Sequence, residues 1–158
     1  MTFAPRRILL TNLQRIGDLL MTTPLLRGLR RAFPQAYIEM IVQQSVYDVL
    51  KFNPHIDRLM TVERAGANFN VPHLLRIAAR LLTVRYDLAL SLHRFDLDTI
   101  CCFLSGAKYR YGFYYKTGGC LLTHPMKECP VRNVSAEKET YWNVGVKASL
   151  FVFPLTPV

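Results

Sequence analysis

The sequence predicts an α/β domain in which a parallel β-sheet is covered by helices on both faces, a Rossmann-like fold. Short apolar runs alternate along the chain with longer segments whose apolar residues recur at helical spacing, and this alternation is typical of parallel sheets with helical crossovers. The 158 residues are close to the size of one domain, about 150 residues. Hydrophobic residues make up 51% and charged residues 20% of the chain, which excludes a disordered protein.

The first unit is a strand followed by a helix. Residues 8–12 are an apolar run that predicts a buried strand. Leucines then recur on one helical face between residues 25 and 29. Pro24 either opens this helix after a Thr23 cap or kinks a longer helix that begins near Asp18.

Two more strands are predicted in the first half, at residues 37–42 and 58–62. Between them, Ser45 is followed three residues later by Asp48. A hydroxyl residue with an acidic residue at this spacing predicts the start of a short helix in the style of a capping box.

The second half continues the alternation. A helix is predicted at residues 71–85, a strand at 88–92, a helix at 97–104 and a strand at 108–113. The apolar face of the first of these helices is predicted to contain Leu74, Leu75, Ala78, Leu81 and Leu82. A last helix is expected at residues 135–150. The domain then covers residues 1–150, and residues 151–158 are a linker or the start of a further domain.

Aromatic residues alternate along the fifth predicted strand, at Tyr109, Tyr111 and Phe113. Such a row could stack nucleobases, as on RNA-binding sheets, but packing of one strand face against the core is favoured. Cys101 and Cys102 lie in an apolar helical stretch and are expected to be core residues. No Cys-x-x-Cys pair is present, so a zinc site is not expected. Reduced thiols fit a cytoplasmic protein.

The charge balance indicates an anionic partner. The net charge is +9, which favours nucleic acid, an acidic membrane face or a phosphorylated substrate. No block of five or more Lys and Arg occurs, which argues against nucleic acid. The apolar run near the N-terminus is too short and too polar for a signal peptide or a membrane span.

Two polar segments follow predicted strands, and the carboxyl ends of parallel strands are where ligands bind in such sheets. In the first, Asp18 is a candidate general base or a plain helix cap. In the second, His93 and Arg94 can bind an anion or, for the histidine, move a proton. Lys116, close to a glycine pair, is a candidate mobile anion contact or an ordinary loop lysine.

Residues 15–34, which read RIGDLLMTTPLLRGLRRAFP, resemble the N-terminal signature of glycosyltransferase family 9, which includes the ADP-heptose:lipopolysaccharide heptosyltransferases. Residues 53–57, 86–93 and 106–113 resemble later segments of that family in the same order. The resemblance implies one half of a GT-B fold, in which two Rossmann-like domains face each other across a cleft.

The resemblance also implies a function. The N-terminal domain of the family holds the acceptor, here a phosphorylated lipopolysaccharide core. The C-terminal domain, expected after Val158, holds a nucleotide-sugar such as ADP-heptose, with no metal or other cofactor required. The chemistry is inverting transfer, with Asp18 as the general base. The residues expected to bind the acceptor are Arg15, Gly17, Thr22, Thr23, His93, Arg94 and Lys116.

By the same resemblance the protein is cytoplasmic, with peripheral contact to the inner membrane, and the half domain alone is expected to be inactive. The alternative is a non-catalytic basic Rossmann-like module that binds an anionic glycan, a lipid head group or nucleic acid. Buried aromatic residues on the fifth strand would argue against nucleic acid.

Overall fold

The computed structural model describes residues 4–65, 68–93, 96–113 and 118–126. The strands are β1 Arg7–Asn12, β2 Tyr37–Gln43, β3 Arg58–Val62, β4 Arg64–Ala65, β5 Asn68–Phe69, β6 Leu88–Ser91, β7 Tyr109–Phe113 and β8 His124–Met126. The helices are α1 Ile16–Leu20, α2 Thr23–Ala32, α3 Tyr47–Leu50, α4 Val71–Thr83 and α5 Asp96–Leu104, with short 3₁₀ turns at Gln44–Val46 and Gly118–Leu121.

Six strands form one parallel sheet in the order β3-β2-β1-β6-β7-β8. The Rossmann-like fold class is therefore confirmed, and the five predicted strands lie within one residue of their expected bounds. The strand β8 and the antiparallel pair of β4 and β5 were not predicted, because two or three residues are too few to show a period. The expected helix at 135–150 and linker at 151–158 lie outside the described residues.

The strands β1, β2, β3 and β6 contribute to two hydrophobic cores, one on either face of the sheet. In β1, Ile8 and Leu10 point into the first core and Leu9 into the second, since successive side chains of a strand point to opposite faces. Leucines of α2 and Leu50 of α3 cover the first core, and residues of α4 and α5 cover the second. Both faces are thus closed by helices, and the ends of the strands are left to hold ligands.

The helix predicted around Pro24 is present as α2 and Pro24 lies at its opening, but its cap is not Thr23, and there is no single longer helix kinked at Pro24. The chain makes two separate helices, α1 and α2, with Met21 and Thr22 between them. Thr22, and not Thr23, is the residue before α2, and Pro24 lies in its first turn. A proline is tolerated there because its missing N–H would have no partner within the helix.

The capping box at Ser45 is also wrong. Ser45 lies inside the 3₁₀ turn, and the residue before α3 is Val46, with no side-chain bond to the helix. On α4, Leu75 and Leu82 are exposed, at 64% and 67%. The buried residues of that helix are Ile77 and Leu81. Adjacent helical residues are turned by about 100°, so a leucine next to a buried one can still face solvent.

Two aromatic residues of β7, Tyr109 and Tyr111, contact the core, as favoured by the sequence. Tyr109 and Tyr111 are half-buried and pack against the first core, and the ring of His124 stacks on Tyr111 with centroids 4.5 Å apart. Cys101 and Cys102 are buried in the second core, as predicted. Within the described ranges, no helix is both long and apolar enough to cross a membrane.

Candidate functional site

The candidate site lies at the carboxyl ends of β1 and β6, where the sheet changes direction. The chain proceeds from β1 to β2 on one side and returns to β6 on the other, and ligands of open α/β sheets bind at such a switch point. The Leu92 N–H donates to the Thr11 carbonyl at 3.0 Å. Gln14 Nε2 lies 3.1 Å from His93 Nδ1. The segments after the two strands therefore meet, as the sequence predicted.

Asp18 is in the first turn of α1, at the third position of the helix. It is not the cap of this helix, because that position belongs to Arg15, whose side chain makes no capping bond. The interpretation of Asp18 as a helix cap is therefore wrong. Its side chain is half-exposed, and among the described residues it has no hydrogen-bond or ion-pair partner. The carboxylate is thus available to a ligand at the mouth of the site.

Arg15 and Gly17 lie beside Asp18 and are exposed. A Cβ built on Gly17 would have no atom within 4 Å, and the backbone of Gly17 does not have a positive φ. Neither packing nor backbone conformation within the described residues requires glycine at this position. Open space in front of the backbone is what the close approach of a ligand would require.

Thr22 and Thr23 follow α1. Thr22 is buried, and its Oγ1 donates to the Leu19 carbonyl at 2.6 Å. This bond satisfies the hydroxyl and holds the turn between α1 and α2. Thr23 is half-buried at the first position of α2. The acceptor-binding role of both threonines stays a prediction.

His93 is half-buried, and the Ser91 hydroxyl donates to its carbonyl at 3.0 Å. This bond and the contact with Gln14 hold the histidine backbone and ring on the side of the site that follows β6. Arg94 and Lys116 lie outside the described residues, so their predicted contacts with an anion stay predictions.

Sequence reasoning missed Asp98, a fully buried carboxyl group at the start of α5. Its Oδ1 accepts the Leu13 N–H at 3.3 Å, and its backbone carbonyl accepts the Thr11 hydroxyl at 3.3 Å. In the described part of the chain, its Oδ2 and the buried Oδ1 of Asn12 have no hydrogen-bond partner. Asp98 thus attaches α5 to the segment that leads into α1. Asp96 and Asp98 lie in the same turn of α5, yet Asp96 is exposed and Asp98 is buried. The sequence alone therefore gave no signal that distinguishes the two.

Burial raises the pKa of Asp98 to about 7, and the neighbouring Thr11 hydroxyl and the Leu13 N–H oppose that rise. Because the pKa is higher in the folded than in the unfolded chain, the folded chain binds more protons between the two values. The free energy of unfolding should therefore fall as the pH rises from about 4 to about 7. Asp98→Asn keeps the acceptor for Leu13 and removes the titration, so it should flatten this fall.

Urea unfolding of the two proteins at several pH values from 4.5 to 8 checks this expectation. The same unfolding measurement on Asp87→Asn shows the effect of replacing an aspartate that is only half-buried. The carboxylate of Asp87 accepts the backbone N–H groups of Arg6 and Arg7. An unchanged slope in Asp98→Asn would mean that Asp98 does not titrate in this range.

The site combines an unpaired carboxylate, an exposed arginine and a histidine at one edge of the sheet. A carboxylate can take a proton from a hydroxyl, and arginine and histidine can bind an anion. Among residues 4–65, 68–93, 96–113 and 118–126, no three His, Cys, Asp or Glu side chains lie together in a way that could hold a metal ion.

Comparisons with known proteins extend this picture. No protein-family model matches the chain. The chain is 32% identical over 78 residues to lipopolysaccharide heptosyltransferase 3 of Escherichia coli strain K12, an alignment that covers 48% of this chain and 23% of that protein.

Solved structures are similar over more of the chain. A glycosyl transferase family 9 protein from Veillonella parvula superimposes with a TM-score of 0.73 at 24% identity, over 94% of this chain and 42% of that one. The E. coli heptosyltransferase WaaC with ADP superimposes with a TM-score of 0.64 at 14% identity, over 89% of this chain and 46% of that one. The resemblance to glycosyltransferase family 9 is thus confirmed, and the chain has a heptosyltransferase-like fold that spans less than half the length of these relatives.

Proposed function

We propose that this chain is the acceptor-side half of an inverting, heptosyltransferase-like glycosyltransferase of lipopolysaccharide core assembly. The matched relatives are a lipopolysaccharide heptosyltransferase and a heptosyltransferase with ADP bound. The single observation that supports this function best is Asp18, the acidic residue of the family-like motif. It is half-exposed at the carboxyl edge of the sheet and unpaired among the described residues.

In the proposed reaction, Asp18 accepts the proton of an acceptor hydroxyl as the hydroxyl oxygen attacks the anomeric carbon of the donor sugar. The bond from that carbon to the diphosphate oxygen of the donor breaks at the same time, and the nucleoside diphosphate leaves with the bonding electron pair. The anomeric configuration is inverted, since attack and departure occur on opposite faces. General-base catalysis requires a carboxylate within hydrogen-bond reach of the hydroxyl, which an unpaired side chain can provide.

The remaining site residues bind the acceptor in this proposal. Arg15 follows β1 and His93 follows β6, and Arg94 and Lys116 would add positive charge from outside the described residues. Phosphate groups on a lipopolysaccharide core are suitable partners for these side chains. Thr22 has a smaller part, because its hydroxyl already donates to Leu19.

A second Rossmann-like domain is the proposed partner that binds the donor, a nucleotide-sugar such as ADP-heptose. The acceptor is a lipid-linked glycan, so we place the reaction at the cytoplasmic face of the inner membrane, with peripheral contact only. A net charge of +9 favours such contact with an anionic surface.

The experiment that tests the proposal is transfer from ADP-heptose to lipopolysaccharide core by this chain fused to the donor domain of a related enzyme. Gly17→Ala is the informative variant. A methyl group at Gly17 meets no atom of the described structure. It should raise helix stability by about 0.5–1 kcal/mol. It should nevertheless lower transfer by about 10- to 100-fold, since small displacements of a reacting group are costly.

Urea unfolding of the unfused chain measures the stability of Gly17→Ala separately from the transfer assay. A fused Gly17→Ala protein with unchanged transfer would place the substrate elsewhere. Transfer by the unfused chain would contradict the division into two halves, because the donor site would then lie within these residues.

A further inference from the structure

A positively charged groove lies between the edge strand β3 and helix α4, away from the candidate site. Its cavity volume is about 230 Å³. Strand residues Arg58 to Thr61 form one wall, and His73, Arg76, Ile77 and Arg80 form the other. The helix α4 packs on the second core, whereas Leu19 of α1 packs on the first. The groove and the Asp18 carboxylate are therefore associated with opposite faces of the sheet.

The charges of the groove are only partly balanced. The fully buried carboxylate of Glu39 binds Arg80 directly, and Arg58 Nε lies 3.8 Å from it. Tyr86 donates its hydroxyl to the same carboxylate. Arg76 is exposed, and within the described residues it has no ion-pair partner. Three guanidinium groups thus line the groove over one buried carboxylate, which leaves two positive charges unbalanced there. The half-exposed carboxylate of Glu63 lies 3.8 Å from His73 on the α4 wall.

Two further observations concern unpaired polar groups beside the groove. Arg80 Nε is buried and, in the described part of the chain, has no hydrogen-bond partner. A buried donor without a partner costs about 1–3 kcal/mol. In addition, β3 pairs only with β2, so its free edge presents backbone N–H and C=O groups away from the sheet. Helix α4 with Arg80, and the open edge strand β3, thus border the same cavity.

We propose that this groove is an anion site that binds a phosphoryl group. Forked guanidinium groups match the oxygens of a phosphate and form charge-assisted hydrogen bonds. The volume is below the roughly 300–1,000 Å³ of pockets for drug-sized ligands, so a phosphate with its adjoining carbons fits better than an entire nucleotide-sugar. This site is independent of the proposed transferase reaction.

Binding of inorganic phosphate and of glycerol 3-phosphate to the full chain tests the proposal, followed by chemical shift changes at the backbone amides of α4. Arg76→Ala should weaken binding by about tenfold, as expected for the loss of one hydrogen bond to a charged group. The folded state should tolerate this change, because Arg76 is exposed and unpaired among the described residues. Arg27→Ala removes the same charge from an exposed position on α2, outside the groove, and should leave binding unchanged.

A second arm distinguishes the source of the phosphoryl group. Cosedimentation is measured with vesicles of phosphatidylcholine alone and with added phosphatidic acid, for the unchanged chain, for Arg76→Ala and for Arg27→Ala. Arg76-dependent binding in the soluble arm identifies a free phosphorylated ligand, and Arg76-dependent binding in the vesicle arm alone identifies a lipid head group. Absence of binding in both arms, or equal loss in Arg76→Ala and Arg27→Ala, would overturn the proposal.

Discussion

Asp18→Asn, in the chain fused to a donor domain, should reduce sugar transfer by about 10²–10⁴-fold, the usual contribution of a general base. The amide has the size of the carboxyl group but cannot accept the proton of the acceptor hydroxyl at neutral pH. Because Asp18 has no partner among the described residues, the folded state loses only the charge near the helix start. That charge is worth at most about 1 kcal/mol. Transfer from ADP-heptose and urea unfolding, measured on the same protein, check both expectations.

The control for this prediction is Asp48→Asn. Asp48 is also an acid in the first turn of a short helix, and it forms an ion pair with Lys51. This variant should transfer at the unchanged rate. If Asp18→Asn and Asp48→Asn transfer equally well, another group accepts the proton, and the assignment of Asp18 as the base is wrong.

Arg80→Ala should lower the free energy of unfolding by about 3–5 kcal/mol, as is usual when one partner of a buried ion pair is removed. Glu39 is fully buried at the centre of β2 and binds Arg80 and Tyr86. Its hydrogen bond with Arg80 raises the pKa of the guanidinium. Without the arginine, the carboxylate stays buried with an incomplete set of partners. Since native domains are stable by about 5–15 kcal/mol, this loss is a large fraction of the total.

Two further variants distinguish the effect of losing the ion pair from the effect of losing the packing of the arginine side chain. Arg31→Ala removes an exposed arginine of α2 and should change stability by less than about 0.5 kcal/mol. The double variant Arg80→Ala with Glu39→Gln removes both charges and should be more stable than Arg80→Ala alone. If the double variant is equally unstable, the loss comes from packing of the arginine stem and not from an unpaired charge. Chemical denaturation of all four proteins provides the measurement.

The helices and strands that could be predicted are those long enough to show a regular spacing of apolar residues. Five strands and the helices between them repeat apolar residues over four to thirteen residues, which suffices to show a period. The meeting of the segments after β1 and β6 could be predicted for the same reason, because parallel strands bring their carboxyl ends together. The meeting of Gln14 and His93 follows from that geometry.

Other features could not be predicted because they depend on contacts between distant residues. Whether Leu75 is buried depends on how α4 is rotated about its own axis against the sheet. The spacing of leucines in the sequence does not determine that rotation. Asp98 and Glu39 look like ordinary acids in the sequence, yet both are fully buried. Their roles arise from Leu13, 85 residues away from Asp98, and from Arg80, 41 residues away from Glu39.

The sequence by itself determined the layered α/β class, the order of its main strands along the chain and the motif around Asp18. These are local properties, because the spacing of apolar residues and the residues of a turn determine the structure of one helix or strand at a time. Only the tertiary structure decided which charged groups are paired. It left Asp18 and Arg76 without partners among the described residues and buried Glu39 beneath Arg80. The physical reason is that burial and ion pairing depend on neighbours that the chain brings together only when the sheet and its helices have packed.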